Sequence, residues 1–274
     1  MRYTVFQGIC ADGHLHDLGE DLAIADFTTY ATSSRSDGRH DVQLYAEGSA
    51  LPAAVASACA LHGVSLTVCG GGTAEELVRG YLPEDPVELA PGVWIDPLGT
   101  LQADGRLILR LPPSLAFGDG HHPSTRMAAG LLAELPLARR RVIDLGCGTG
   151  ALGLIALLRG AAAADFTDID PASLDATRRA LADHGVTGRV FHADLLTGLS
   201  GPYDLFIANL YADLVLEILA DPRLTGLWPT GDMVLSGIHV RHREAVIAAL
   251  DVAGCRLVAQ REEAWWCALH ARRS

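Results

Sequence analysis

No two of the six cysteines form a C-x-x-C pair, no long apolar run is present, and acidic residues outnumber basic ones. Each of these absences removes a class of protein. Cys10, Cys59, Cys69, Cys147, Cys255 and Cys267 are too scattered for a redox motif, so free thiols in a reducing, cytoplasmic setting are expected. With neither an apolar span nor a signal-like start, no membrane association is expected. A net charge of −12 argues against a nucleic-acid surface and suits a basic protein partner. No metal site is expected either, because His14, His16 and Asp17 lack a second ligand group and read as a polar loop.

What is present centres on Arg141–Gly150, RVIDLGCGTG. Val142, Ile143 and Leu145 suit a buried strand, the glycines a tight turn, and the apolar residues from Ala151 to Leu158 a helix. Glycines there let the backbone approach a nucleotide-like ligand. GCGTGA also fits the dinucleotide pattern G-x-G-x-x-G/A, with Asp168 about 20 residues on to hold a ribose. Asp144 and the placing of Gly150 tilt the reading to S-adenosylmethionine, whose ammonium group an acid at 144 would face. A nicotinamide-dependent oxidoreductase is the weaker reading, because no second mononucleotide half follows.

Strand and helix then alternate, which predicts a doubly wound α/β sheet. Asp168 ends a strand at the edge where such sheets meet ribose hydroxyls, while Asp170 with Pro171 suits a helix cap. Asp194 follows a strand over 190–192 and reads equally as an adenine contact or a solvated acid. Asn209 ends a strand over 203–208, where an amide meets a ligand. A loop over 221–231 and strands over 233–238, 256–260 and 265–270 complete this half. Ahead of it, Leu115–Thr125, LAFGDGHHPST, is a loop placed to act as a lid, followed by a helix over 126–135.

The first eighty residues read as a small α+β module: strands over 3–9, 22–32, 41–47 and 64–69, a helix over 51–62, and a closing run at 70–73. Residues 73–92 read as a proline-rich connection with a short helix at 74–79. The expected division is 1–80 for substrate recognition, 81–114 for linker and pre-lid strands, and 115–274 for cofactor binding.

Taken in order, LAFGDGHHPST, VIDLGCGTG, TDIDP, ADLL, IANLYAD, LSGI and WWCAL resemble the PrmA-type methyltransferases, which modify ribosomal large-subunit protein L-eleven. The resemblance covers about Leu115 to Arg273. It implies a seven-stranded S-adenosylmethionine-dependent methyltransferase sheet, its last strand antiparallel, behind a small amino-terminal α+β domain that recognises a protein. It places Phe117, Gly118, His122 and Thr125 in a loop over the cofactor. Asp144, Gly146, Gly148 and Gly150 would cradle the methionine part, Asp168 hold the ribose and Asp194 lie near adenine. Asn209 would sit where the methyl is transferred. The implied activity is N-methylation of lysine or amino-terminal groups of a protein, with a ribosomal protein as the implied candidate. The alternatives are a small-molecule amine as acceptor or a cofactor-binding protein without catalysis. Three residues depart from the family pattern: Asp119, Tyr211 and His242. Asp119, between two glycines, reads either as a carboxylate able to swing toward a cation or as a solvated turn residue.

Overall fold

The computed structural model describes residues 2–24, 30–35, 37–73, 77, 86–111 and 116–273. The chain divides into two compact units, Met1–Leu82 and Pro83–Ser274. In the first, β1 (Arg2–Ala11), α1 (Asp12–Ile24), β2 (Tyr30–Ser34), β3 (Arg39–Glu47), α2 (Ala53–Leu61) and β4 (Thr67–Thr73) follow one another. The strands form one antiparallel sheet in the order β2-β3-β1-β4, a pair of split β-α-β units. Period-two alternation in β3 turns Val42, Leu44 and Ala46 to one face, where they meet Leu18 and Leu22 of α1 and Val55 and Cys59 of α2.

Three expectations for this unit are corrected. Residues 14–17 belong to α1 and not to a loop, because Leu15, Leu18 and Leu22 recur at helical spacing and seat the segment on the sheet. Residues 22–24 are helical as well, so the second strand begins at Tyr30. The strand expected over 64–69 begins at Thr67 and runs through the glycines to Thr73, since Gly70, Gly71 and Gly72 pair with Val5, Thr4 and Tyr3. The short helix expected at 74–79 falls almost wholly outside the described residues.

In the second unit, β5 (Val87–Ala90), β6 (Val93–Ile95) and β7 (Leu107–Leu109) form a three-stranded sheet. The stretch read as an extended connection therefore contains a strand, whose Leu89 and Ala90 are buried. The large sheet has the order β10-β9-β8-β11-β12-β14-β13. Its strands are β8 (Arg141–Leu145), β9 (Ala163–Asp168), β10 (Arg189–His192), β11 (Leu205–Asn209), β12 (Gly231–His239), β13 (Arg256–Glu263) and β14 (Trp266–Arg273). β8 to β12 pair in parallel, while β14, the last, lies antiparallel between β12 and β13.

Helices α3 (Pro123–Ala133), α4 (Ala151–Leu158) and α5 (Pro171–Asp183) pack into one core, with Leu131, Leu154 and Leu174. Helices α6 (Ala212–Ala220), α7 (Leu224–Leu227) and α8 (Arg243–Val252) join a second, with Val215, Leu224 and Val246. Helix α7 stands inside the stretch expected to be a loop, its Leu224 buried beside Trp228. The two cores cover opposite faces of the sheet, the doubly wound arrangement. Strand order reverses between β8 and β11, and such a switch point opens a crevice beyond the carboxyl ends of the strands. Among the described residues, no helix is long and apolar enough to cross a membrane.

Candidate cofactor and active site

The crevice receives Asp144 from β8 and Asn209 from β11, neighbouring strands in which Asp144 stands opposite Ile207. Between them the glycine turn leaves β8. Gly146, Gly148 and Gly150 all have positive φ, at +67°, +54° and +79°. Gly150 ends the turn as the N-cap of α4. Thr177 of α5 fastens the turn from below by donating to the Gly148 carbonyl at 2.9 Å.

Asp144 is fully buried, and desolvation pushes its carboxyl up to about 7. The Gly153 N–H, donated at 2.8 Å from the first turn of α4, opposes that shift. The nearby Asp168 adds to it. Asp168 itself is raised, chiefly by burial, and its oxygens accept from Gly148 N at 3.0 Å and Asp170 N at 2.9 Å. A carboxylate has about four lone-pair directions, so Asp168 keeps acceptor capacity for ligand hydroxyls. Asp170 serves elsewhere, capping α5 through Ala172 N and Ser173 N.

Above the turn lies the loop ahead of α3; its first expected residue, Leu115, falls outside the described set. The loop is stitched to the turn through backbone. Thr149 N donates to the Phe117 carbonyl at 2.9 Å, and the Thr149 hydroxyl to the Gly118 carbonyl at 2.9 Å. His122 is the N-cap of α3, its Nδ1 accepting from Ser124 N at 3.2 Å. Burial, helped by the Arg126 charge, lowers it to about 4 and keeps the ring neutral. Asp119 turns back on its own loop, accepting from His121 N at 3.1 Å with its side chain 58% exposed. The solvated-turn reading is the one this geometry matches.

A narrow recess lies between lid and turn, lined by Phe117, Gly118, Thr125, Asp144, Gly146 and Asn209. Cys147, Thr149, Ala151 and Leu152, not singled out in the sequence, also line it. At its floor the Asn209 amide nitrogen lies 3.4 Å from the Thr125 hydroxyl oxygen, while its Oδ1 is buried without a hydrogen-bond partner among the described residues. A pocket lined by one buried carboxyl, a glycine turn and an amide whose oxygen is unpaired among the described residues suits a cationic nucleoside ligand beside an N–H donor.

The comparisons with known proteins agree with this architecture. The family model described as "Ribosomal protein L11 methyltransferase (PrmA)" matches residues 81–274. The chain belongs to this family. A relative from Teredinibacter turnerae, named ribosomal protein L11 methyltransferase, is 37% identical over 195 residues; the match spans 69% of this chain and 64% of that protein. One from Thermotoga neapolitana, under the same name, is 30% identical, spanning 69% of this chain and 72% of that protein. The crystal structure of a ribosomal protein L11 methylase from Lactobacillus delbrueckii subsp. bulgaricus superposes with a TM-score of 0.62 at 26% identity, covering 69% of this chain and 99% of that one.

Within this PrmA-family site the expected residues divide. Phe117, Gly118, Thr125, Asp144, Gly146 and Asn209 line one pocket. Gly148, Gly150 and His122 lie outside the lining and shape the turn and lid that form it. A Cβ at Gly148 would stand 2.2 Å from the Phe117 carbonyl oxygen, so this glycine is required by the lid's approach. Asp168 braces the turn from behind. Asp194 is exposed after β10 and does not line the pocket. Asn209 is the chain's single asparagine.

Proposed function

We propose that this chain is an S-adenosylmethionine-dependent N-methyltransferase acting on amino groups of a protein, with ribosomal protein L11 the first candidate acceptor. The observation that carries the reading is Asn209, which lines the same pocket as Asp144 and the glycine turn and whose Oδ1 is buried and unpaired among the described residues. When bound, S-adenosylmethionine supplies a methyl group already activated by a positive sulfur. Asp144 and Asp168 hold the cationic and ribose parts, and the Phe117–Gly118 loop covers the reacting centre and excludes water. Asn209 Oδ1 accepts an N–H of the attacking amine and aligns its lone pair. An amide oxygen orients an amine without taking its proton. A free lysine with pKa of about 10.4 is almost all charged at neutral pH, so burial against this floor favours the neutral, attacking form.

The family match begins at residue 81 and leaves the first unit outside it. That observation favours a second reading of the acceptor: the first unit selects it, and a protein other than L11 fits there. The test is incubation with methyl-labelled S-adenosylmethionine and either purified L11 or a ribosomal extract. All 21 basic Lys/Arg positions of this chain are arginine, so label on lysine cannot come from the enzyme itself. Lysine label on L11 supports the first acceptor, and label on another protein supports the second. Absence of label from every protein refutes protein methylation.

A further inference from the structure

Asn209 is held by more than its own strand. Its partner in the parallel ladder is Ser236 of β12, whose carbonyl accepts from Leu210 N at 3.0 Å. At this point the pairing of β12 with β14 slips. Leu235 faces Leu269 and Ile238 faces Cys267, so Ser236 and Gly237 together oppose Ala268. This is a β-bulge, a device that re-aims groups beside active sites. Gly237 has φ +76°, and a Cβ there would lie 2.7 Å from the Leu210 carbonyl oxygen and 3.0 Å from Asn209 Oδ1. Glycine at 237 therefore keeps the space beside that oxygen free of a side chain.

Ser236 closes the other side. It is fully buried, and its hydroxyl donates to the Ser124 carbonyl at 2.9 Å, in the first turn of α3. The next residue is Thr125, the acceptor for Asn209 Nδ2. One residue of β12 thus ties down both the backbone after Asn209 and the helical turn that meets its amide nitrogen. With the nitrogen engaged, the oxygen is left buried and, among the described residues, unpaired.

We propose that the Ser236–Gly237 bulge is a positioning element for Asn209, clamping its amide so that the oxygen is presented to the acceptor amine. Neither residue touches the reacting atoms. The bulge acts through Asn209, and the role of the presented oxygen rests on the functional reading above.

Asparagine labelling with 15N isolates the test, because Asn209 is the chain's single asparagine and its side-chain amide gives one pair of proton signals. In the full chain, Ser236→Ala is expected to speed solvent exchange of that amide at least tenfold. The same variant is expected to slow single-turnover methyl transfer at least fivefold, with S-adenosylmethionine affinity unchanged within twofold. Gly237→Ala is expected to shift the amide signals and slow transfer further. Where Gly237→Ala fails to fold, Ser236→Ala alone decides. Unchanged exchange and rate in Ser236→Ala would overturn the proposal. So would a rate loss matched by an equal loss of cofactor affinity, which marks general collapse of the pocket. A wild-type chain that methylates no amine sinks the functional reading instead, while amide exchange still decides whether the bulge clamps Asn209.

Discussion

The carboxyl of Asp144 meets the Gly153 N–H at 2.8 Å and is only 2% exposed. Its raised value, about 7, means that the folded chain holds a proton there which the unfolded chain has already lost above about pH 4. The stabilising contribution is therefore present at low pH and lost as pH rises through 7. Ligand-free Asp144→Asn is expected to melt with the wild type near pH 4 and above it by a margin that grows up to about pH 7 and then holds. The ionised form is the one that attracts a cation, so wild-type affinity for S-adenosylmethionine rises from about pH 6 to 8 with release of a proton. Calorimetry in two buffers of different ionisation heat reads that proton. A flat pH profile in the wild type would remove Asp144 from the cofactor's cationic group.

Asp168 and Asp170 stand two residues apart with different work. Loss of the Asp170 cap is expected to lower stability by about 1 kcal/mol with cofactor affinity intact. Asp168→Ala loses the brace on Gly148 N and the charge-assisted bond to a ribose hydroxyl, a loss of about 1.5–3 kcal/mol in binding. Thermal melts and calorimetry on the two variants separate the roles, and the reverse pattern would exchange them.

Gly148 faces the lid's backbone and not the pocket. Gly148→Ala places a methyl against the Phe117 carbonyl, where only movement of the loop relieves the contact. Amide hydrogen exchange at residues 117–122 is expected to quicken, and cofactor affinity to fall at least tenfold. Affinity lost without any change in exchange would show that the glycine meets the ligand directly.

Asp119 departs from the family pattern, yet its carboxylate engages His121 of its own loop. Asp119→Asn keeps the acceptor oxygen for His121 N, so transfer rates are expected to stay within twofold of wild type between about pH 6 and 9. A faster variant near pH 7 would place the carboxylate near a charged amine after all.

Several features were legible in the sequence because they are local. The alternation of apolar strand and helix predicted the doubly wound sheet, and RVIDLGCGTG its ligand turn, since period, glycine and acid act over a few neighbouring residues. The cap at Asp170 was legible for the same reason. Less local features were misread. Helix α1 lies where His14 and His16 suggest a polar loop, because its leucines gain their weight only against the sheet, and the glycines of β4 read as a closing run because their pairing partner lies in β1. The site itself was decided by tertiary structure. Asp144, Thr125 and Asn209 meet because strand order reverses between β8 and β11, a relation no stretch of sequence carries. The elevated Asp144 carboxyl, the lid carbonyl against Gly148 and the bulge behind Asn209 each depend on which atoms from distant segments arrive within 3 Å or so, and only close packing sets that.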